Sequence, residues 1–255
     1  INGDGRVWVE RAGDSAMSLS DVMLSPVEVK DLAGLIANKQ RLTLTDAQPA
    51  ISTTIEYAGA TLRCQAIIPP ASAGGTTITF RVFRRRPTGE APKHFRFLRD
   101  QTVSLEAERL ELLRSIRDMA MRGTDPDEFL RACIEARMNI VISGGTSSGK
   151  TELARRLLWM VEQWHRLVLI EDSAELLPAQ DNAVSLIAER VEASVRSADK
   201  LLEMTLRLRP DRIILGELRG VEAVTFLEAI NTGHEGSFTT LHATSARKAV
   251  NRLAF

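Results

Sequence analysis

From Asn139 onward, short apolar runs alternate with helical ones: NIVIS, a helix, RLVLIE, a loop, AVSLIAE, a helix, RIILGE, a helix, GSFTTLH and a further helix. This alternation predicts a parallel sheet flanked by helices, in which ligands lie beyond the carboxyl ends of the strands. The residues that end these runs are therefore expected to carry the chemistry. The first part of the chain has a different rhythm. RVWVE reads as a strand, and SPVEVKDLAGLIANK as a helix with Val29, Leu32, Ala33 and Ile36 on one face, opened by Ser25 before Pro26. ISTTIEY and TLRCQAII, joined by the turn Ala58-Gly59-Ala60, and TTITFRVF after the loop PPASAGG, predict an antiparallel sheet and hence an α+β domain.

Between these halves the text changes to RRRPTGEAPKHFRFLR, where Pro87, Gly89 and Pro92 break any period and positive charge accumulates. The expected organisation is an N-terminal α+β domain over 1–86, a basic linker over 87–103 and an α/β domain over 104–255. The second domain opens with two helical runs. LEAERLELLRSIRDMAM carries Leu112, Leu113, Ile116, Met119 and Ala120, and DPDEFLRACIEARM is started by an aspartate and a proline.

Composition narrows the class without naming a function. With 44% hydrophobic and 26% charged residues, the chain can bury a core and is not disordered. Its 33 basic residues equal its 33 acidic ones, so no net field draws it to nucleic acid or membrane, and no sequence-specific nucleic-acid binding is expected. Cys64 and Cys133 have neither metal-ligand nor redox spacing and read as small core residues of a reducing compartment. No run approaches the roughly 18 apolar residues of a membrane span, and Asp4, Arg6, Glu10 and Arg11 stand where a signal peptide would be apolar. A cytoplasmic protein is expected. The chain opens on Ile1 and stops within the helical run SARKAVNRLAF, which reads as trimming at both ends.

The stretch GGTSSGKT is a phosphate-loop pattern: Gly144, four residues, then Gly149-Lys150-Thr151. Glycines let the backbone curl so that the amides of Gly144, Gly145, Thr146, Ser147, Ser148 and Gly149 can face a polyanion, and the following helix adds the positive end of its dipole. Lys150 is expected to reach the β- and γ-phosphates, and Thr151 to offer a hydroxyl to Mg²⁺, a cation that takes oxygen ligands. A strand before and an amphipathic helix after, with Leu153, Leu157, Leu158 and Val161 on one face, supply the context the motif needs. ATP and Mg²⁺ are the expected ligands.

Three further strand ends add titratable groups. RLVLIED ends in Glu171 and Asp172, and RIILGE in Glu217. Phosphoryl hydrolysis calls for one carboxylate to orient or deprotonate water and often another to hold Mg²⁺, so Glu171 and Glu217 match two jobs without the spacing saying which does which. NTGHEGSFTTLHA places His234 in a Gly-rich turn and His242 at a strand end, and both are expected at the nucleotide edge, sensing the γ-phosphate. Arg209, before Pro210-Asp211, enters the Glu217 strand from its amino end and suits a subunit interface.

Together, GGTSSGKT, LIEDSAEL, LRLRPDRIILGELRG and NTGHEGSFTTLHA resemble the secretion ATPase superfamily, and most closely the hexameric traffic ATPases of bacterial type IV secretion and conjugation systems. INGDGRVWVE and GGTTITFRVFRRR are similar to that family's N-terminal half. The resemblance implies a RecA-like P-loop domain preceded by a smaller PAS-like domain, nucleotide where they meet, and a homo-hexamer at the cytoplasmic face of the inner membrane. It also implies peripheral membrane association and, as partners, components of a secretion machine including other ATPases. By the same resemblance LIED is an Asp box with Glu171 activating water. IILGE is a Walker B segment with Glu217 at the metal, and TGHEG through TLHA is a His box. In such rings arginines from another domain or subunit steady the phosphoryl charge, and Arg81 and Arg99, with Arg84 to Arg86 as substitutes, are the expected nucleotide contacts. A type II secretion or pilus motor is the neighbouring alternative. A nucleotide switch with little turnover is disfavoured by the paired acids, and a kinase by the lack of a lid-like insertion.

Overall fold

The computed structural model describes residues 1–84, 104–191 and 193–253. A hairpin of β1 (Arg6–Val9) and β2 (Ser18–Met23) precedes α1 (Pro26–Lys39). The helix starts where the sequence predicts: Ser25 and Glu28 form a reciprocal capping box, satisfying backbone N–H groups the helix cannot. An antiparallel sheet follows, built from β3 (Ala50–Tyr57), β4 (Ala60–Ile67) and β5 (Thr77–Arg84). Its first hairpin closes over two residues, Ala58 and Gly59, with φ of 48° and 75°, the left-handed geometry that matches strand twist. The face carrying Ile51, Cys64, Ala66 and Ile78 packs on Val29, Ala33 and Ile36 of α1. By strand alternation the opposite face carries Ser52, Thr54, Arg63, Gln65, Thr79 and Arg81. Strand β2 was not expected, because SLSDVM is mostly exposed and shows no clean two-residue alternation.

The second half begins with α2 (Leu105–Met121) and α3 (Pro126–Glu135). Of the apolar face expected on α2, only Ile116 is buried, while Leu112 and Leu113 stay exposed. Then come β6 (Ile140–Ser143), α4 (Lys150–Met160), β7 (Leu167–Glu171), β8 (Ala183–Ile187), α5 (Ala198–Thr205), β9 (Arg212–Leu218), α6 (Glu222–Asn231), β10 (Phe238–Leu241) and α7 (Ala246–Leu253). The five strands form one sheet in the order β6-β10-β9-β7-β8, and every pair is parallel. Both faces are covered. Val168, Ile170, Ile213 and Leu215 pack with Leu201 and Phe226, while Leu167, Leu169 and Ile214 pack with Leu157, Ile134 and Phe238. Continuous apolar strand text is what such two-sided burial requires. Leu157 and Leu158 of α4, and Val161 just past its end, are buried as expected, but Leu153 is 37% exposed.

The chain after β4 covers the free edge of β8, with Ala73 donating to the Ser185 carbonyl at 2.9 Å and Ile187 to the Ala71 carbonyl at 2.8 Å. Ile67 and Ala71 thereby join the core of the parallel sheet. The amino edge of that sheet is fastened by two buried arginines. Arg166 donates to the Leu208 carbonyl (2.8 Å), Asn2 Oδ1 (2.8 Å) and Asn182 Oδ1 (2.5 Å). Arg212 donates to the carbonyls of Gly236 (3.0 Å) and Ile134 (2.9 Å) and to His165 Nδ1 (3.2 Å). Burial pulls both guanidiniums down to about 10. Gly236 is required here, since φ is +83° and a Cβ would lie 2.4 Å from Arg212 Nη1. No described helix is long and apolar enough to cross a membrane.

Candidate active site

Strand β6 delivers the chain into the loop 144–149, and α4 leaves it. Gly149 is the helix N-cap at φ 85°, a left-handed turn that an L side chain resists, and no side chain caps the helix. The amides at the start of α4 are thus left to bind something other than the protein. Lys150 Nζ donates to the carbonyls of Gly144 (3.1 Å) and Gly145 (2.7 Å), and Ser148 Oγ donates to the Gly145 carbonyl at 2.8 Å. These contacts hold the loop in a cradle.

Thr146, Ser147, Lys150 and Thr151 line a cavity of about 280 Å³ together with Glu171, Asp172, Glu217, Arg219, Thr240 and His242. The strand order explains the meeting: β7, β9 and β10 are parallel, so Glu171, Glu217 and His242 all reach the carboxyl edge where the loop begins. Glu171 is 6% exposed. Its Oε1 accepts from the backbone N–H groups of Glu175 and Leu176, each at 3.1 Å. Burial pushes its carboxyl above the usual range, and those two hydrogen bonds pull the other way.

Glu217 sits in a chain of charges. Its Oε1 lies 3.2 Å from His242 Nε2, and Arg219 Nη2 donates to its Oε2 at 2.5 Å. The other end of Arg219 donates to Asp172 Oδ2 at 2.8 Å, and Arg190 reaches the same oxygen at 2.9 Å. The hydrogen bond to Glu217, offset in part by burial, raises Arg219 above the ordinary guanidinium value. Arg219, Arg190 and Thr240 were not singled out from the sequence. Arg219 stands two residues beyond Glu217, so the two-residue strand period already aims it at the same face. Arg190 lies beyond the end of β8 and carried no such signal.

Two residues expected at the nucleotide, His234 and Arg81, lie elsewhere, while Arg209 keeps the amino-edge place expected for it. His234 precedes β10 and His242 follows it, so the two histidines occupy opposite edges of the sheet, not one rim. The intervening four-residue strand spans about 13 Å. His234 Nδ1 meets the Pro210 carbonyl at 3.1 Å, and burial lowers its basicity. Arg209, also at the amino edge with φ 58°, is ion-paired with Glu10 and Asp211. Arg81 of β5 lines a second cavity with both of them. Arg99, Arg85, Arg86 and the stretch 87–103 lie outside the described residues.

Residues 98–255 match the family model for "Type II/IV secretion system protein". Over 257 residues the chain is 35% identical to the conjugal transfer protein TrbB of Rhizobium radiobacter, covering 99% of this chain and 69% of that one. It is 32% identical over 243 residues to the type IV secretion system protein VirB11 of Bartonella quintana, covering 90% and 67%. Among solved structures, the VirB11 ATPase from the Brucella suis type IV secretion system superposes with a TM-score of 0.77 at 31% identity, covering 100% of this chain and 76% of that chain.

Proposed function

The chain belongs to the type II/IV secretion system protein family, and on that premise we propose that it is an ATPase motor of a type IV secretion or conjugation machine. The observation that carries this reading is the single cavity shared by Lys150, Thr151, Glu171, Glu217 and His242. Phosphates of ATP take the uncapped start of α4, and Lys150 exchanges its two loop carbonyls for phosphate oxygens. The walls also hold Glu171, Asp172, Glu175 and Glu217 against Lys150, Arg190 and Arg219, so a triphosphate would meet excess negative charge unless a cation came with it. The hydroxyl of Thr151 and the carboxylate of Glu217 are hard oxygen donors that suit Mg²⁺, which when bound neutralises charge on the phosphates.

Glu171 is the base in this reading. Its two backbone bonds fall on Oε1, leaving Oε2 to accept a proton from the attacking water, and its raised pKa brings it nearer to neutral pH. His242 and Arg219 hold Glu217 from two sides and keep its carboxylate turned into the cavity. Residues 1–86 and 104–255 act as two lobes joined by the basic segment 87–103. The working assembly is a homo-hexamer at the cytoplasmic face of the inner membrane, where it meets other components of the secretion machine. ATPase rate per subunit measured against protein concentration tests the ring. The rate is expected to rise as assembly proceeds, and a concentration-independent rate would remove the ring from the account.

A further inference from the structure

A second cavity, of about 1040 Å³, lies at the amino edge of the parallel sheet, away from the phosphate loop. One wall is the polar face of the β3-β4-β5 sheet, and Trp8 of β1 with Arg166, Arg207, Arg209 and His234 completes it. The contacts of Arg166 with Asn2 and Asn182, and of Arg209 with Glu10, fix these walls relative to one another.

The sheet face that lines the cavity is polar: Ser52, Thr54, Arg63 and Arg81 on it are exposed, Thr79 is half-buried and Gln65 is buried. Three of the cavity's residues hold buried polar atoms that no other described residue satisfies: Gln65 Oε1, Thr79 Oγ1 and Trp8 Nε1. Gln65 is 2% exposed. A buried polar group left unpaired is costly, so three around one space are hard to explain by packing. The charges are uneven as well. Arg209 is neutralised by Glu10 and Asp211, whereas Arg63 and Arg81 have no carboxylate partner among the described residues and only flank the Phe83 ring at 5.3 and 5.1 Å.

The complement of these walls is an anion for Arg63 and Arg81, a donor for Gln65 Oε1, an acceptor for the Trp8 indole, and some apolar surface against Val9, Met17 and Leu206. We propose that this cavity binds a small phosphorylated molecule whose sugar hydroxyl or base amine donates to Gln65, of the sugar-phosphate or nucleoside-monophosphate class. The site is separate from the phosphate loop and does not depend on turnover there.

The test uses the full chain with Lys150→Ala to disable the phosphate loop, and with Trp159→Phe and Trp164→Phe so that Trp8 is the only indole left. Ribose 5-phosphate, AMP and unphosphorylated ribose are titrated while Trp8 fluorescence is read. A saturable response to ribose 5-phosphate or AMP, absent with ribose, is expected; which of the two binds more tightly assigns the sugar-phosphate or the nucleotide source. Arg63→Ala and Gln65→Leu are each expected to weaken it by about tenfold or more. Gln65→Leu also replaces a buried orphan with an apolar group, so its melting temperature is expected to hold or rise, which separates lost binding from lost folding. No saturable response to either phosphorylated probe at millimolar concentration, an equal response to ribose, or a response untouched by both substitutions would overturn the proposal.

Discussion

Glu217 Oε1 lies 3.2 Å from His242 Nε2, so the ends of β9 and β10 are joined by a side-chain contact on the wall of the phosphate-loop cavity. In the proposed mechanism Glu217 serves catalysis and is not part of the loop that grips phosphate. Glu217→Gln is therefore expected to lower ATP turnover by about a hundredfold or more while nucleotide binding persists. Equilibrium titration beside steady-state turnover checks this. Loss of affinity together with turnover would show that Glu217 is needed for binding.

Arg219 ties Glu217 to Asp172. Arg219→Ala frees both carboxylates, and the expected result is a fall in turnover of about tenfold with a smaller change in KM, since the substitution loosens a positioned group without removing it. Arg219→Lys restores one of the two bonds and should recover only part of the rate. Full activity in Arg219→Ala would mean that Glu217 is held well enough without it.

The elevated carboxyl of Glu171 predicts a pH dependence. In the proposed mechanism Glu171 is the base and must be ionised, so the rate should decline toward acid beginning above the ordinary glutamate value of 4.5. Stability moves in the opposite sense. The folded state binds this proton more tightly than the unfolded state, so ionisation of Glu171 costs stability at neutral pH, and that cost disappears as pH falls through the raised pKa. Glu171→Gln should abolish turnover and raise the melting temperature at neutral pH, with the gain shrinking in acid. Equal melting temperatures at neutral pH would contradict the burial account.

Gly149 carries a positive φ at the start of α4. Gly149→Ala should cost about 1 to 2 kcal/mol of stability from the left-handed backbone alone. It should also weaken ATP binding, because the relaxed loop no longer aims its amides inward. Thermal unfolding and a nucleotide titration measure the two effects separately. Unchanged affinity would place the phosphate elsewhere.

The parts of this site that were legible in the sequence are those in which local pattern and position in the sheet coincide. GGTSSGKT after IVIS announces its own geometry, and Glu171 and Glu217 each close an apolar run whose direction is set by the parallel topology. His234 misled because GHEGSFTTLH reads as one motif, whereas β10 runs through its middle and carries its two histidines to opposite edges. Neighbourhood along the chain is not neighbourhood in the sheet. The exposed leucines of α2 have a related cause, since amphipathic text indicates a face and not what covers it, whereas SLSDVM carries no alternation that would announce β2. The charge chain from His242 through Glu217 and Arg219 to Asp172 depends on the strand order β10-β9-β7, which composition and spacing do not specify.

The central claim is that the cavity above β6, β9 and β7 splits ATP. Release of phosphate from ATP in the presence of Mg²⁺, compared between the unaltered chain and Lys150→Ala, tests it most directly. Steady hydrolysis by the former and a background rate in the latter is the predicted result; equal hydrolysis by both would contradict the account.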